Sequence, residues 1–134
     1  MRILFCILIA FPVFAQSWIG WKIPTNNTQV HWKNGNTCKS TNELLVAVRL
    51  EGGVIERVKL IDPVCDPDLH GLQVTMQTKT PAESLDFLAS HLETSSDRNQ
   101  IITAIALHEH EKVVPLLVQL ARHNEHRDVR RHAI

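Results

Sequence analysis

Leu44-Leu45-Val46-Ala47-Val48-Arg49-Leu50-Glu51-Gly52-Gly53-Val54-Ile55-Glu56-Arg57-Val58-Lys59-Leu60-Ile61 is the stretch whose reading decides the fold. Leu44, Val46, Val48 and Leu50 alternate with Leu45, Ala47, Arg49 and Glu51, and further on Ile55 and Ile61 flank Arg57 and Lys59. A period of two is that of a strand, whose successive side chains point to opposite faces of the pleat. Gly52-Gly53 lies between the two runs and supplies the positive φ angles of a two-residue primed turn. The stretch is expected to form a β-hairpin.

Working outward, Asp62-Pro63 and Asp66-Pro67 mark turns, and Leu72, Val74 and Met76 then alternate with Gln73, Thr75 and Gln77 as a third strand. Upstream, Trp18-Ile19-Gly20-Trp21-Lys22-Ile23 reads as a strand stopped by Pro24. Residues 25–40 are rich in Asn, Thr and Gly and read as loop with a short strand at residues 30–32. Past residue 79 the period changes. Thr80-Pro81-Ala82-Glu83 combines an N-cap Thr, Pro at the first helical position and Glu at N3, which is a capping box. Leu85, Leu88, Ala89 and Leu92 follow at helical spacing on one face. Ser95-Ser96-Asp97 ends that helix and caps the next. The second helix carries Ile101, Ile102, Ala104, Ile105, Ala106 and Leu107, so much of its circumference is apolar that it must be covered on more than one side. A third helix places Val113, Leu116, Leu117 and Leu120 inward, with Pro115 in its first turn, where a missing N–H does little harm. After His123-Asn124-Glu125-His126 a fourth pattern begins.

The period therefore switches once, and the expected class is α+β: a small antiparallel sheet in residues 16–79, followed by antiparallel α-hairpins in residues 80–134. At 134 residues the chain is one domain by length, or two small modules that share a core. Fourteen basic and fourteen acidic residues cancel. That balance gives no electrostatic reason to expect nucleic acid, which normally leaves a basic excess.

Residues 1–15 form a separate unit: Met1-Arg2, an apolar run from Ile3 to Phe14, and Val13-Phe14-Ala15 before Gln16. This is the pattern of a secretory signal peptide, and the run is short of the roughly 20 apolar residues of a membrane span. An uncleaved anchor is the alternative; cleavage would leave no stable membrane span and a periplasmic or extracellular chain. Cys6 falls within the apolar run, away from the position of a lipid-attachment cysteine. Removing the leader leaves Cys38 and Cys65, which in an oxidising compartment allow one pairing. A disulfide is the expectation and two free thiols the alternative. Asn26-Asn27-Thr28 matches a glycosylation sequon, a pattern that also arises by chance.

The helical half carries a family resemblance. Asp128-Val129-Arg130 followed by Ala133, after Leu116-Leu117-Val118-Gln119-Leu120-Ala121-Arg122, resembles the signature of HEAT-repeat proteins, and Ala104-Ile105-Ala106-Leu107-His108 before Lys112-Val113-Val114-Pro115-Leu116-Leu117 resembles a preceding unit. Ala104-Ile105 and Ala133-Ile134 are 29 positions apart, a length within the range of solenoid repeats. The resemblance spans residues 97–134. The whole arrangement, with Leu50-Glu51-Gly52-Gly53-Val54-Ile55-Glu56-Arg57-Val58 and the Cys65 turn ahead of the repeats, is similar to exported bacterial HEAT-repeat proteins of uncharacterised function. It implies structural roles for Asp128, Arg130 and Ala133 in holding the turn and neighbouring repeats. The fourth pattern stops within a helix, so the expectation is a repeat array interrupted at its C-terminal side, with a short helical cap as the alternative.

No residue set amounts to a catalytic centre. His108-Glu109-His110-Glu111 and His123-Asn124-Glu125-His126 both miss the zinc-protease spacings, and no Gly-x-Ser-x-Gly elbow or phosphate-cradling loop occurs. His91, His108, His110, His123, His126 and His132 are read as turn and surface histidines, because consecutive turns of an up-and-down array lie at opposite ends. Asp62, Asp66 and Asp68 are read as turn formers in preference to a cation site, and Trp18, Trp21 and Trp32 as core of the small sheet in preference to a ligand-stacking strip. The expected function is a non-enzymatic exported interaction or scaffold module with a protein partner, without cofactor or metal. The alternative is a secreted ligand- or metal-binding protein, or a hydrolase, using the Trp strip and the helical histidines.

Overall fold

A computed structural model describes residues 17–25, 30–33, 36–39 and 42–134; the leader at residues 1–15, Cys6 and the sequon at residues 26–28 lie outside them. The central hairpin forms as its sequence dictates. Strand β4 (Glu43–Glu51) pairs antiparallel with β5 (Val54–Ile61), and Gly52 and Gly53 turn between them at φ 59° and 78°. The register steps from Arg49 opposite Arg57 to Leu50 opposite Ile55, which leaves Glu56 as an extra residue. Such a bulge bends the strand and raises its twist. The Glu56 side chain accepts from Arg49 Nε at 2.9 Å across this irregularity.

Strand β1 (Trp18–Pro24) joins β4 antiparallel, so β4 is central and buried on both faces. This explains why both of its alternating sets are apolar. Val46 and Val48 face the helices, whereas Leu45 and Ala47 face the other way. Two strands depart from the sequence reading. Where the sequence predicts loop with one short strand over residues 25–40, β2 (Val30–Lys33) and β3 (Asn36–Lys39) make an antiparallel two-stranded ribbon. The expected antiparallel sheet is also mixed, because β6 (Val74–Met76) pairs parallel with β1, giving the order β5-β4-β1-β6.

The reason is the connection after β5. A hairpin would reverse the chain, but residues 62–73 cross from one sheet edge to the other, so β6 runs in the direction of β5 and hence of β1. Leu69 and Leu72 of this crossover, with Val74, pack on Trp18, Leu45, Ala47 and Ile61 and close the second face. Gly20 is what lets β6 approach: a Cβ there would stand 2.7 Å from Val74 Cγ1. The crossover includes a short 3₁₀ turn, Leu69–Gly71, in which Leu69, His70 and Gly71 all take positive φ. Cys65 in the crossover is bonded to Cys38 of β3, with a Cα–Cα separation of 5.7 Å, and this ties the ribbon to the sheet.

The first face of the sheet is covered by α1 (Pro81–His91) and α2 (Arg98–Ala106), and α3 (Val113–His123) and α4 (Arg127–His132) stack on α2. The capping box that starts α1 is complete, with Glu83 N donating to Thr80 Oγ1 at 3.2 Å and Thr80 N to Glu83 Oε1 at 3.1 Å. These bonds from Thr80 hold the Glu83 carboxyl below its ordinary value. Trp21, Val46 and Ile55 of the sheet share one apolar cluster with Leu88 of α1, Ile101 and Ile105 of α2, Leu120 of α3 and Val129 of α4. Each fully buried side chain of this size contributes roughly 1.5–3 kcal/mol. The β-rich and helical parts thus share a core.

The α1–α2 turn also seals the β5 edge. Ser95 Oγ donates to Ile55 O at 2.6 Å, Ser96 Oγ donates to Glu56 O at 3.0 Å, and Val58 N donates to Asp97 Oδ2 at 2.9 Å. As the sequence implies, this turn caps α2, with Asp97 at the N-cap, but the Asp97 carboxylate bonds the strand and not the helix, and its own N–H donates to Ser95 Oγ at 2.9 Å.

Candidate functional site

Two helical pairs stand side by side in register. The N-cap residues of α2 and α4, Asp97 and His126, are 29 positions apart, and each donates its N–H two residues back, Asp97 to Ser95 Oγ and His126 to Asn124 Oδ1, both at 2.9 Å. Thr103 and His132, also 29 apart, meet directly, with Oγ1 and Nε2 separated by 3.0 Å. Equivalent positions of α2 and α4 therefore touch across the interface between the pairs. At the turns, Glu93 takes Asn124 Nδ2 on one oxygen at 2.8 Å and faces His126 Nε2 with the other at 3.1 Å.

The residues singled out in the last turn fall as follows. Arg130 reaches back, donating from one guanidinium nitrogen to Asn124 O at 2.7 Å and to Glu125 O at 3.4 Å, so it satisfies carbonyls of the turn before α4. Asp128 is exposed in the first turn of α4, and Ala133 packs against the shared core.

The outer side of this stack is apolar. Val114 is 68% exposed and Val118 42%, and together with Leu117 they stand at i, i+4 and i+3 on one stripe of α3. Leu117 continues into a groove lined by Ile102, Ala106 and Leu107 of α2 and by His132 and Ala133 at the end of α4. Exposed apolar side chains that form a continuous surface mark interaction sites far more than scattered ones do. This groove with its Val114–Val118 flank is the candidate site, and its chemistry is that of contact, since apart from Thr103 and His132 its lining offers no polar side chain.

The histidines stay separate. His91 bonds Phe87 O and stacks on the Phe87 ring, His110 accepts from Lys112 N, His70 pairs with Asp66, and His126 pairs with Glu93. Among the described residues no group of three or more His, Cys, Asp or Glu side chains is placed to hold a metal ion. Asp62 accepts from Val64 N and Cys65 N, the bonding of a turn former. Trp18 and Trp21 are buried, on opposite faces of the sheet, so these two do not form an exposed strip.

One constellation escaped the sequence reading. Trp21 Nε1 donates to Ser84 Oγ at 2.6 Å, Ser84 Oγ lies 2.6 Å from His108 Nε2, and His108 Nδ1 lies 2.6 Å from Ala104 O. A carbonyl only accepts, so Nδ1 carries the proton, Nε2 accepts, and the Ser84 hydroxyl donates to it. Burial lowers the proton affinity of His108, the bond to Ala104 O opposes this, and His110 nearby adds to it. The ring is thus held neutral. Ser84 is fully buried and His108 nearly so, which makes the pair a structural tie between β1, α1 and α2. The signal was present: Ser84, Leu88 and Leu92 recur at i, i+4 and i+8, which puts a serine on the apolar line.

Comparison of the chain with family models, with curated protein sequences and with solved structures finds no match.

Proposed function

We propose that this chain is a non-enzymatic, exported interaction module whose HEAT-like helical pairs hold a protein partner. The observation that carries the reading is the apolar groove between α2, α3 and α4 with the bare Val114–Val118 stripe beside it. Two features support it. The 29-position register, with equivalent residues in contact, is how stacked repeats build extended surfaces, and Arg130 bonds the turn as the repeat resemblance implies for that arginine. Export is supported by the Cys38–Cys65 disulfide and by the leader-like residues 1–15; no helix among the described residues is long and apolar enough to cross a membrane.

The test is affinity isolation from the envelope and culture fluid of the producing cell, followed by reconstitution with the purified candidate. The expected result is a stoichiometric complex that forms with the disulfide intact. Failure of every candidate to form one, together with turnover of a substrate from an ester, peptide and glycoside panel, overturns the reading.

A further inference from the structure

We infer that Ser84 and His108 form an acid-released latch, which holds the corner between α2 and α3 against α1 and β1 near neutral pH and opens it in acid while the sheet stays folded. The latch depends on no partner of the helical face. Its basis is the balance of hydrogen-bonding groups around one buried oxygen. Trp21 Nε1–H, the Ser84 hydroxyl and His108 Nδ1–H are three donors, and Ser84 Oγ, His108 Nε2 and Ala104 O are their three acceptors, each pair 2.6 Å apart. The His108 amide turns to Ile105 O at 3.2 Å, and the ring takes up the Ala104 carbonyl four residues back.

A proton on Nε2 converts an acceptor into a donor. Four donors then face two acceptors, Ser84 Oγ and Ala104 O, and the Ser84 hydroxyl proton loses its partner. The new charge would also form among neutral groups: β1 presents the Trp21 indole, α1 the Ser84 hydroxyl and α2 the Ala104 carbonyl. Of the charged and titratable groups around the network, Lys79 Nζ stands 5.2 Å from the Trp21 ring centroid and 4.7 Å from that of Phe87, and His91 stacks on Phe87. Glu83 is turned to Thr80 N. In the corner itself Glu109, Glu111 and Lys112 are exposed, and His110 accepts from Lys112 N. None of these bonds the His108 ring, whose two nitrogens are engaged by Ser84 and Ala104. Burial and the nearby His110 both oppose the proton.

Opening the corner relieves this, because an open ring is hydrated and takes up its proton at the ordinary cost. The position of the corner makes that opening local. It leads into α3, which with α4 stacks on α2, so it can part from α1 while the paired strands β1, β4 and β5 stay together. Beyond the latch, the Glu109 amide donates to Pro24 O, the last residue of β1, at 3.3 Å. This bond reports on the state of the corner.

The test is amide hydrogen exchange of the intact chain by nuclear magnetic resonance, at about pH 7.5 and about pH 5, with each rate divided by that of an unstructured peptide at the same pH. Protection of the Glu109 amide is expected to fall about tenfold or more in acid, and its exchange there to be insensitive to dilute urea, the mark of an opening that exposes little surface. The Val46 and Val48 amides of the central strand are expected to exchange only by global unfolding and to respond to urea. In His108→Gln the acid effect at Glu109 is expected to vanish. His91 and His110 remain in that variant, so an acid effect that survives belongs to another group and overturns the inference. Unchanged protection between the two pH values, or Glu109 exchange that follows urea as steeply as Val46, overturns it as well. Ser84→Ala gives a second reading should His108→Gln fail to fold: its corner is expected to exchange fast already at about pH 7.5, and parent-like protection there would show that no latch exists.

Discussion

Ser84 Oγ stands 2.6 Å from His108 Nε2 inside the core, and this bond joins α1 to the corner that follows α2. The same hydroxyl accepts from Trp21 Nε1, so one oxygen satisfies two buried neighbours from two different elements. Replacing it leaves an indole donor and an imidazole acceptor unpaired. Ser84→Ala is therefore expected to lower unfolding stability by about 1–3 kcal/mol, the usual cost of orphaning a buried polar group. Urea titration followed by Trp fluorescence measures it; a change under a few tenths of a kcal/mol would show that the network contributes little.

The same network makes stability depend on acid. His108 is folded in its neutral form with its proton affinity lowered by burial, whereas the unfolded ring titrates at the ordinary 6.5. Above that value both states carry a neutral ring and the contribution is fully present. As pH falls below it the unfolded chain takes up the proton first, and stability is lost progressively towards the lower folded value. The denaturant midpoint is thus expected to fall between pH 7.5 and about 5.5 in the parent and to fall less in His108→Gln. Parallel profiles for the two proteins would remove His108 as the source.

How far the sequence reached can be seen at particular residues. Gly52-Gly53 and Thr80-Pro81-Ala82-Glu83 were legible because each acts through bonds within a few positions. The direction of β6 was not, since it depends on a crossover whose path is set by Leu69 and Leu72 finding Trp18 and Ile61 on the far face. For the same reason the cap position of Asp97 was legible but the partner of its carboxylate was not: nothing local indicates that Val58, 39 positions away, offers it a donor. On α3 the pattern placed Val113 and Leu120 inward, where they are buried, but nothing in it marked Val114 and Val118 as exposed or Leu117 as the wall of a groove. An exposed valine has no sequence signature until the helix is seen to lack a neighbour there.

The β5 edge yields a further prediction. Asp97 Oδ2 accepts from the Val58 amide at the edge of the sheet, and Asn at that position keeps an oxygen in place. Asp97→Ala is expected to cost about 1.5–3 kcal/mol, the range for a bond to a charged group, and Asp97→Asn less. Hydrogen exchange should locate the effect, with faster exchange at Val58 in the alanine variant. An unpaired edge also recruits other strands, so slow aggregation of Asp97→Ala at millimolar concentration is expected and can be followed by light scattering.

The disulfide is the remaining lever, and it acts on the unfolded chain more than on any contact in the folded one. Cys38 and Cys65 are separated by 27 positions, and closing a loop of that length removes denatured-state entropy worth about 3–4 kcal/mol. For a chain of this size such a term is a sizeable part of a net stability of roughly 5–15 kcal/mol. Cys38→Ser is the cleaner probe, because Cys65 is buried beside Asp62, which accepts its N–H, and a change there would disturb the crossover as well. The variant is expected to lose unfolding stability by that amount, with the far-ultraviolet spectrum of the four-stranded sheet and helices retained, since among the described residues those elements share the cluster that runs from Trp21 to Val129. Collapse of the helical signal in Cys38→Ser would instead mean that the β2–β3 ribbon is needed for the core itself to form.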